Sequence, residues 1–303
     1  MNQVKIGKDI TRLTLAQILT TCITVITSML LARYRTLEEY GTYSQMLIVV
    51  NLCTSIFYIG LPGSINYFVG RSEDEEERAR FINCYFSLVN AISIILAVSL
   101  LLSVKLIANY FNNDLIINFF YFLALFPWIS VIKNSIQTVL VSFKKTKLLL
   151  LISLGNDVLL FLLALMFLVT KGSFSIYMII FTSLEVVFAI VCHFIVAKIN
   201  KGLRIYFNKN LLKSILIFAI PLGLAQIVGT INVELDKIVI DGFFSVEELG
   251  IYSACSTQLP LTVVTASITS VALPVMSSLL KKGDYNSSVE IWKKTIIISF
   301  SIL

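Results

Sequence analysis

Charged and amide side chains set inside otherwise apolar stretches are where chemistry could reside in this chain. Lys133, Asn134 and Gln137 stand together, and Lys133 and Gln137 are four residues apart, on one face of a helix. Asn156-Asp157 follows Gly155, and Glu185 stands alone in a long apolar run. One ammonium and two carboxylates allow two kinds of chemistry. Lys133 could pair with Asp157 or Glu185 and hold helices together. Alternatively, Lys133 binds an anionic ligand, and a leftover carboxylate exchanges a proton or Na⁺, because desolvation disfavours its charge. A second set is Glu234, Asp236, Lys237 and Asp241. Glu234, Lys237 and Asp241 fall at i, i+3 and i+7, a stripe of alternating sign, with Asp236 off the stripe. Such a stripe is either self-paired at a water interface or the polar lining of a cleft.

The elements that must position these residues are membrane helices. The chain has 303 residues, 57% hydrophobic and only 14% charged, where a soluble domain carries about 25% charged residues. No charge falls between Arg12 and Arg33, Glu39 and Arg71, Arg80 and Lys105, or Glu248 and Lys281. Apolar runs of about 20 residues are what a hydrocarbon core ~30 Å thick demands of a helix. Backbone groups must be satisfied inside each span, so the fold class is all-α, a polytopic helical membrane protein. Spans are expected near 13–32, 44–69, 81–104, 115–141, 148–169, 174–197, 214–241 and 250–278, with a ninth beginning near 293.

With the N-terminus inside, eighteen Lys and Arg residues fall on one side and five on the other. Positive residues stay cytoplasmic, so the alternation predicts an N-in topology. The net charge of +6 is thus mostly an insertion signal. No basic run is interleaved with exposed aromatics, so nucleic acid is not an expected partner. The five cysteines lie in apolar runs with no C-x-x-C pair, and read as small buried residues. The acidic run Glu73–Glu77 reads as a solvated helical extension. His193, the only histidine, reads as a core or interfacial residue. No nucleotide loop, metal cluster or nucleophile–base constellation appears, so no cofactor and no metal is expected.

Ser214–Asp241 is 28 residues long, about 42 Å as a helix, which demands tilt or a break. Pro221 and Gly223 offer the break. Pro62, Pro127, Pro260 and Pro274 also fall within predicted spans, where they would kink helices.

The chain repeats itself. Leu15 to Ser44 recurs, ungapped, as Leu224 to Ser253, with ten identities in thirty positions. They include Leu-Ala-Gln-Ile, one threonine, and the pattern Glu-Glu-x-Gly-x-Tyr-Ser. Leu61-Pro62 recurs as Leu273-Pro274. A long period marks a duplicated unit, and in an apolar chain it suggests a transporter built from repeats. Six spans separate the copies, and an even number preserves orientation. The expected division is residues 1–213 as a six-helix N-terminal lobe and 214–303 as a partial C-terminal lobe. The chain is therefore expected to be a fragment or truncated form of a protein of at least twelve spans.

Asp236-Lys237-Ile-Val-Ile-Asp-Gly-Phe-Phe-Ser-Val-Glu-Glu-Leu-Gly-Ile-Tyr-Ser-Ala254 resembles the helix-seven signature of bacterial polysaccharide flippases. These are the Wzx-type members of the MOP superfamily, which also holds MATE exporters and lipid II flippases. Leu-Leu-Ala-Arg-Tyr-Arg-Thr-Leu-Glu-Glu-Tyr-Gly-Thr-Tyr-Ser44 resembles the first-repeat version, with Gly60-Leu-Pro-Gly63 after it. The resemblance implies two six-helix lobes in a V around a cation-lined cavity. It implies movement of an undecaprenyl-diphosphate-linked oligosaccharide from the inner to the outer leaflet of a bacterial cytoplasmic membrane. Implied partners are that lipid-linked substrate, membrane lipid, a polysaccharide polymerase and glycosyltransferases. Asp236 and Lys237 match the signature by position, and Arg33 falls on the Ala-Arg of the first repeat. Lys133, Asp157 and Glu185 match no motif. The expected cavity residues are Arg33, Lys133, Asp236 and Lys237, and the expected ion-coupling residues are Asp157 and Glu185. A cation-coupled drug exporter of the same superfamily would use Asp157 and Glu185 equally well. A non-transporting remnant is a further reading. A glycosyltransferase or polymerase would need a sizeable loop for its sugar site, which the chain lacks.

Overall fold

The computed structural model describes residues 3–72, 74–143, 145–256, 276 and 283–302, with side chains from Ile18 to Ser301. Pro260, Pro274, Lys281, Lys282 and most of the expected eighth span lie outside the described residues, as do Glu73 and Lys144. Regular structure among the described residues is α-helical, with no strand. In chain order the helices are α1 (Gln3–Tyr34), α2 (Leu37–Phe57), α3 (Leu61–Arg71), α4 (Glu75–Tyr110), α5 (Leu115–Asn118) and α6 (Phe120–Ser142). There follow α7 (Thr146–Thr170), α8 (Phe174–Ile199), α9 (Lys209–Phe243), α10 (Val246–Cys255) and α11 (Tyr285–Ile302). Helices α4, α6, α7, α8 and α9 are each long and apolar enough to cross a membrane. The chain is a multi-pass helical membrane protein. Ile94, Ile95, Leu102 and Leu106 on α4 are exposed, as a lipid-facing surface requires.

Two compact units divide the chain: Leu30–Lys145 with Leu162–Cys255, and Met1–Met29 with Thr146–Phe161 and Ser256–Leu303. The larger unit holds every feature described next.

The expected second span, 44–69, is broken. Helices α2 and α3 meet at a 42° bend. Gly60 there has φ +70, a left-handed conformation that glycine adopts without a Cβ penalty. Pro62 falls in the first turn of α3, where its missing N–H would be unpaired anyway, so it starts a helix instead of kinking one. Of the tilt or break expected for the seventh span, no break appears at Pro221. Helix α9 runs through it without interruption for 35 residues. One lost backbone bond is tolerated in a membrane helix whose neighbours pack closely, and Ala219 and Gly223 flank Pro221 against Ile59 and Gly60.

The repeated sequence is legible as a repeated cap. Glu39 N–H donates to Thr36 Oγ1 at 3.1 Å, and Thr36 N–H donates back to Glu39 Oε2 at 3.3 Å. In the second copy Glu248 N–H donates to Ser245 Oγ at 3.3 Å, and Ser245 N–H to Glu248 Oε2 at 2.8 Å. Each copy thus opens its helix with the same capping box, with acidic residues in the first turn facing the positive end of the dipole. The two copies then meet. A Cβ on Gly250 would lie 2.7 Å from Leu37 O and 3.1 Å from Gly41 N, and one on Gly41 would collide with the Val246 carbonyl.

From that contact α9 runs antiparallel along α2 and α3. Gln45 Nε2 donates to Asp241 Oδ1 at 2.6 Å, and Asn51 Nδ2 to Glu234 Oε1 at 2.9 Å. Gly60 meets Gly223, and Tyr67 stacks on Phe218 with centroids 4.4 Å apart. Buried Asn113 extends the first rung, donating to Gln45 Oε1 at 2.7 Å and Thr42 Oγ1 at 2.8 Å.

Helices α4, α6 and α8 supply the third side. Tyr85 hydroxyl bonds Ser135 Oγ at 2.6 Å, and Tyr58 hydroxyl bonds Ser93 Oγ at 2.8 Å. His193 has a structural place, stacked on Trp128 with centroids 5.6 Å apart. Asn90 bonds His193 Nε2 at 3.3 Å and accepts from Trp128 Nε1 at 3.1 Å. The segment after α8 is pinned to α4: Arg204 N–H donates to Asn83 Oδ1 at 3.1 Å, and Tyr206 N–H to Ser87 Oγ at 2.9 Å. Glu75, Glu76 and Glu77 are exposed in the first turn of α4, which Asp74 caps, so the acidic run extends a helix. Lys201 pairs with Glu75 at 2.5 Å, and that bond raises the lysine pKa. Fully exposed pairs of this kind add little stability.

Candidate functional site

The seam between α2–α3 and α9 opens into a cavity of about 1050 Å³, with α6 as its third wall. Its lining is polar for a membrane interior. Helix α2 contributes Asn51, Thr54 and Ser55, α6 contributes Ser130, Lys133, Asn134, Gln137 and Thr138, and α9 contributes Gln226, Thr230 and Glu234. Apolar contributions come from Ile59, Pro62, Phe126, Val131 and Val233. The helical spacing expected for Lys133 and Gln137 is realised, since both face the cavity.

Among the described residues two charges, Lys133 and Glu234, line it, and each is compensated. Lys133 Nζ donates to both Glu185 oxygens, at 2.8 and 3.1 Å, and lies 5.5 Å from the centre of the Phe188 ring. Glu185 is only 1% exposed, whereas the Lys133 side chain is 34% exposed. The carboxylate is therefore the fixed partner and the ammonium the group a ligand can reach. Glu234, 3% exposed, accepts from Lys237 Nζ at 3.0 Å and from Asn51. Burying a charge inside a membrane costs several kcal/mol unless it is paired, and both pairs meet that requirement.

The remaining expected residues are placed as follows. Of the stripe, Glu234 and Lys237 pair with each other, and Asp241 turns to Gln45. Asp236 is exposed and accepts from the Tyr252 hydroxyl. Neither Asp236 nor Lys237 lines the cavity. Arg33 is exposed and does not line it either. Its neighbour Arg35 instead donates to Gly172 O at 2.7 Å. Asp157 belongs to the smaller unit and is already engaged. Asn51, Thr54 and Ser55 were not legible as site residues. Their signal, one polar side chain every third or fourth residue in an apolar run, is shared by any packed membrane helix.

Chemically, the described residues of the cavity offer amides and hydroxyls that both donate and accept, with Lys133 as a reachable ammonium. That set suits hydroxyl-rich ligands bearing an anionic group. Among the described residues no cluster of His, Cys, Asp and Glu could hold a metal ion.

Two solved structures share the fold. An inward-facing multidrug resistance MATE family transporter of the MOP superfamily superposes with a TM-score of 0.72 at 15% identity, over 93% of this chain and 68% of that one. A crystal structure of a MATE point mutant gives 0.67 at 14% identity, over 97% and 70%. No protein with a curated description matches the sequence. Residues 30–300 match the family described as polysaccharide biosynthesis protein. With that match over most of its length, the chain belongs to the polysaccharide biosynthesis protein family and has the fold of MOP-superfamily transporters.

Proposed function

We propose that this chain is part of a transporter, not an enzyme, that flips an undecaprenyl-diphosphate-linked oligosaccharide across the bacterial cytoplasmic membrane for surface polysaccharide synthesis. The observation that carries this reading is the cavity of about 1050 Å³, lined by amides and hydroxyls with Lys133 as its reachable charge. A diphosphate-linked sugar cannot enter hydrocarbon unaided, so it needs a hydrated polar path and a cation. Sugar hydroxyls would exchange hydrogen bonds with Asn51, Asn134, Gln137 and Gln226. The diphosphate would compete with Glu185 for Lys133, and the polyprenyl tail would stay in lipid. Glu185, released in that exchange, is the proposed ion-coupling carboxylate. Family membership supports the polysaccharide context, and the fold supports transport.

In a strain lacking its flippase, expression of the full reading frame that encodes this chain is expected to restore surface polysaccharide, whereas residues 1–303 alone, with only part of a second lobe, are expected to fail. Export of cationic dyes without such restoration would favour the drug-exporter reading instead.

The same proposal places the N-terminus and the α8–α9 connection in the cytoplasm, from the asymmetry of basic residues. The Lys201 side chain is 81% exposed, so a cysteine there is a clean reporter. In a variant without native cysteines, Lys201→Cys should react with impermeant thiol reagents only after lysis. Labelling in intact cells would reverse the topology.

A further inference from the structure

A second cavity, of about 310 Å³, lies away from the first, between the end of α1 and the end of α7. Its walls are apolar: Leu30, Leu31, Ala164, Phe167 and Leu168. Among the described residues its polar side chains are Arg35, Lys171 and the Tyr34 hydroxyl, and no carboxylate lines it. Helices α7 and α8 are both membrane-spanning, and only Lys171, Gly172 and Ser173 join them. The two cations therefore sit where spans end, at head-group depth, while the apolar wall runs into the hydrocarbon.

Arg35 is held rigidly. One N–H is committed to Gly172 O at 2.7 Å, and the guanidinium lies 5.6 to 5.9 Å from the rings of Tyr177, Phe174 and Phe167. Four of its five N–H donors remain for other acceptors. Lys171 caps α7 with φ +51, the left-handed position where glycine is favoured, although Gly172 is the next residue. It makes no ion pair among the described residues. A lysine kept in a strained position, beside a rigid arginine, over an apolar groove, has the chemistry of a phosphate with a hydrocarbon tail.

We propose that this niche binds an anionic membrane phospholipid, with the phosphate between Arg35 and Lys171 and an acyl chain along Leu30 and Phe167. The charge complementarity selects anionic over zwitterionic lipid, and the apolar wall selects lipid over free phosphate.

The test is thermal unfolding of the purified chain in detergent, titrated with phosphatidylglycerol, with phosphatidylcholine or with inorganic phosphate. Phosphatidylglycerol alone should raise the Tm. Lys171→Gly removes the charge and relieves the backbone, so the lipid-free variant should be at least as stable as wild type. Its apparent affinity for phosphatidylglycerol should fall about fivefold, the usual contribution of one basic residue near an anionic surface. Lys105→Gln, exposed at the end of α4, should respond as wild type does. Equal stabilisation by phosphatidylcholine, stabilisation by inorganic phosphate alone, an undiminished response in Lys171→Gly, or an equal loss in Lys105→Gln would each overturn the proposal.

Discussion

Lys133→Ala is expected to abolish flipping and, at the same time, to lower the amount of folded protein. The two effects have different origins and can be separated. The alanine leaves the Glu185 carboxylate, 1% exposed, without the lysine that neutralises it. Removing one partner of a buried pair costs about 3–5 kcal/mol. Lys133→Met with Glu185→Gln removes both charges and should restore the folded amount, measured as the monodisperse peak in size-exclusion chromatography. It should not restore flipping, because the cavity then lacks the Lys133 ammonium that a diphosphate can reach. A hydrogen bond to a charged group contributes about 1.5–3 kcal/mol, so the loss should be about ten- to hundredfold. Lys133→Arg keeps the charge and should retain part of the activity. Recovery of flipping by the doubly neutral protein would assign Lys133 to structure alone. Normal flipping by Lys133→Ala at wild-type abundance would exclude both roles.

Gly41→Ala should unfold the larger unit more readily than any single change on an exposed helix face. The added Cβ meets the backbone carbonyl of Val246, which cannot turn aside as a side chain can. Overpacking of this kind costs about 1–3 kcal/mol, occasionally more. Gly250→Ala should behave alike, since its Cβ would lie 2.7 Å from Leu37 O. Gly70→Ala meets nothing within 4 Å and serves as the neutral control. In membranes, small residues let backbones approach where the solvent supplies no hydrophobic drive. A Tm for Gly41→Ala indistinguishable from that of Gly70→Ala would mean that the two repeat copies do not depend on this contact.

The repeat was legible because ten identities survive in it, and its meaning was only partly so. A sequence shows that Glu-Glu-x-Gly-x-Tyr-Ser occurs twice. It does not show that the two glycines face each other, or that Thr36 and Ser245 make matching caps. Lys133 and Glu185 were recognised through their cost in an apolar run, but the sequence leaves open whether Lys133 pairs, and with Asp157 or with Glu185; the structure places it on Glu185. Asp157 carried the same signal, yet it belongs to the other unit. Arg33 and Arg35 are two residues apart at a helix end, where no periodicity separates the exposed one from the one packed among rings. A kink is expected from Pro62, but the bend is made by the left-handed Gly60, with Pro62 starting the next helix, which an unbroken apolar run does not reveal. A Cβ at that turn would meet Ala219 and Gly223, supplied from far along the chain.

The central claim is that the polar cavity carries a lipid-linked anionic oligosaccharide across the membrane. Its most direct test places that lipid in the inner leaflet of proteoliposomes containing the purified protein encoded by the full reading frame. The measurement is the rate at which the sugar becomes accessible to an impermeant lectin outside. Accessibility should rise well above that of protein-free vesicles, and the doubly neutral protein with Lys133→Met and Glu185→Gln should return it to the protein-free level. A wild-type rate equal to that of protein-free vesicles, in preparations that do move a cationic dye, would contradict the account.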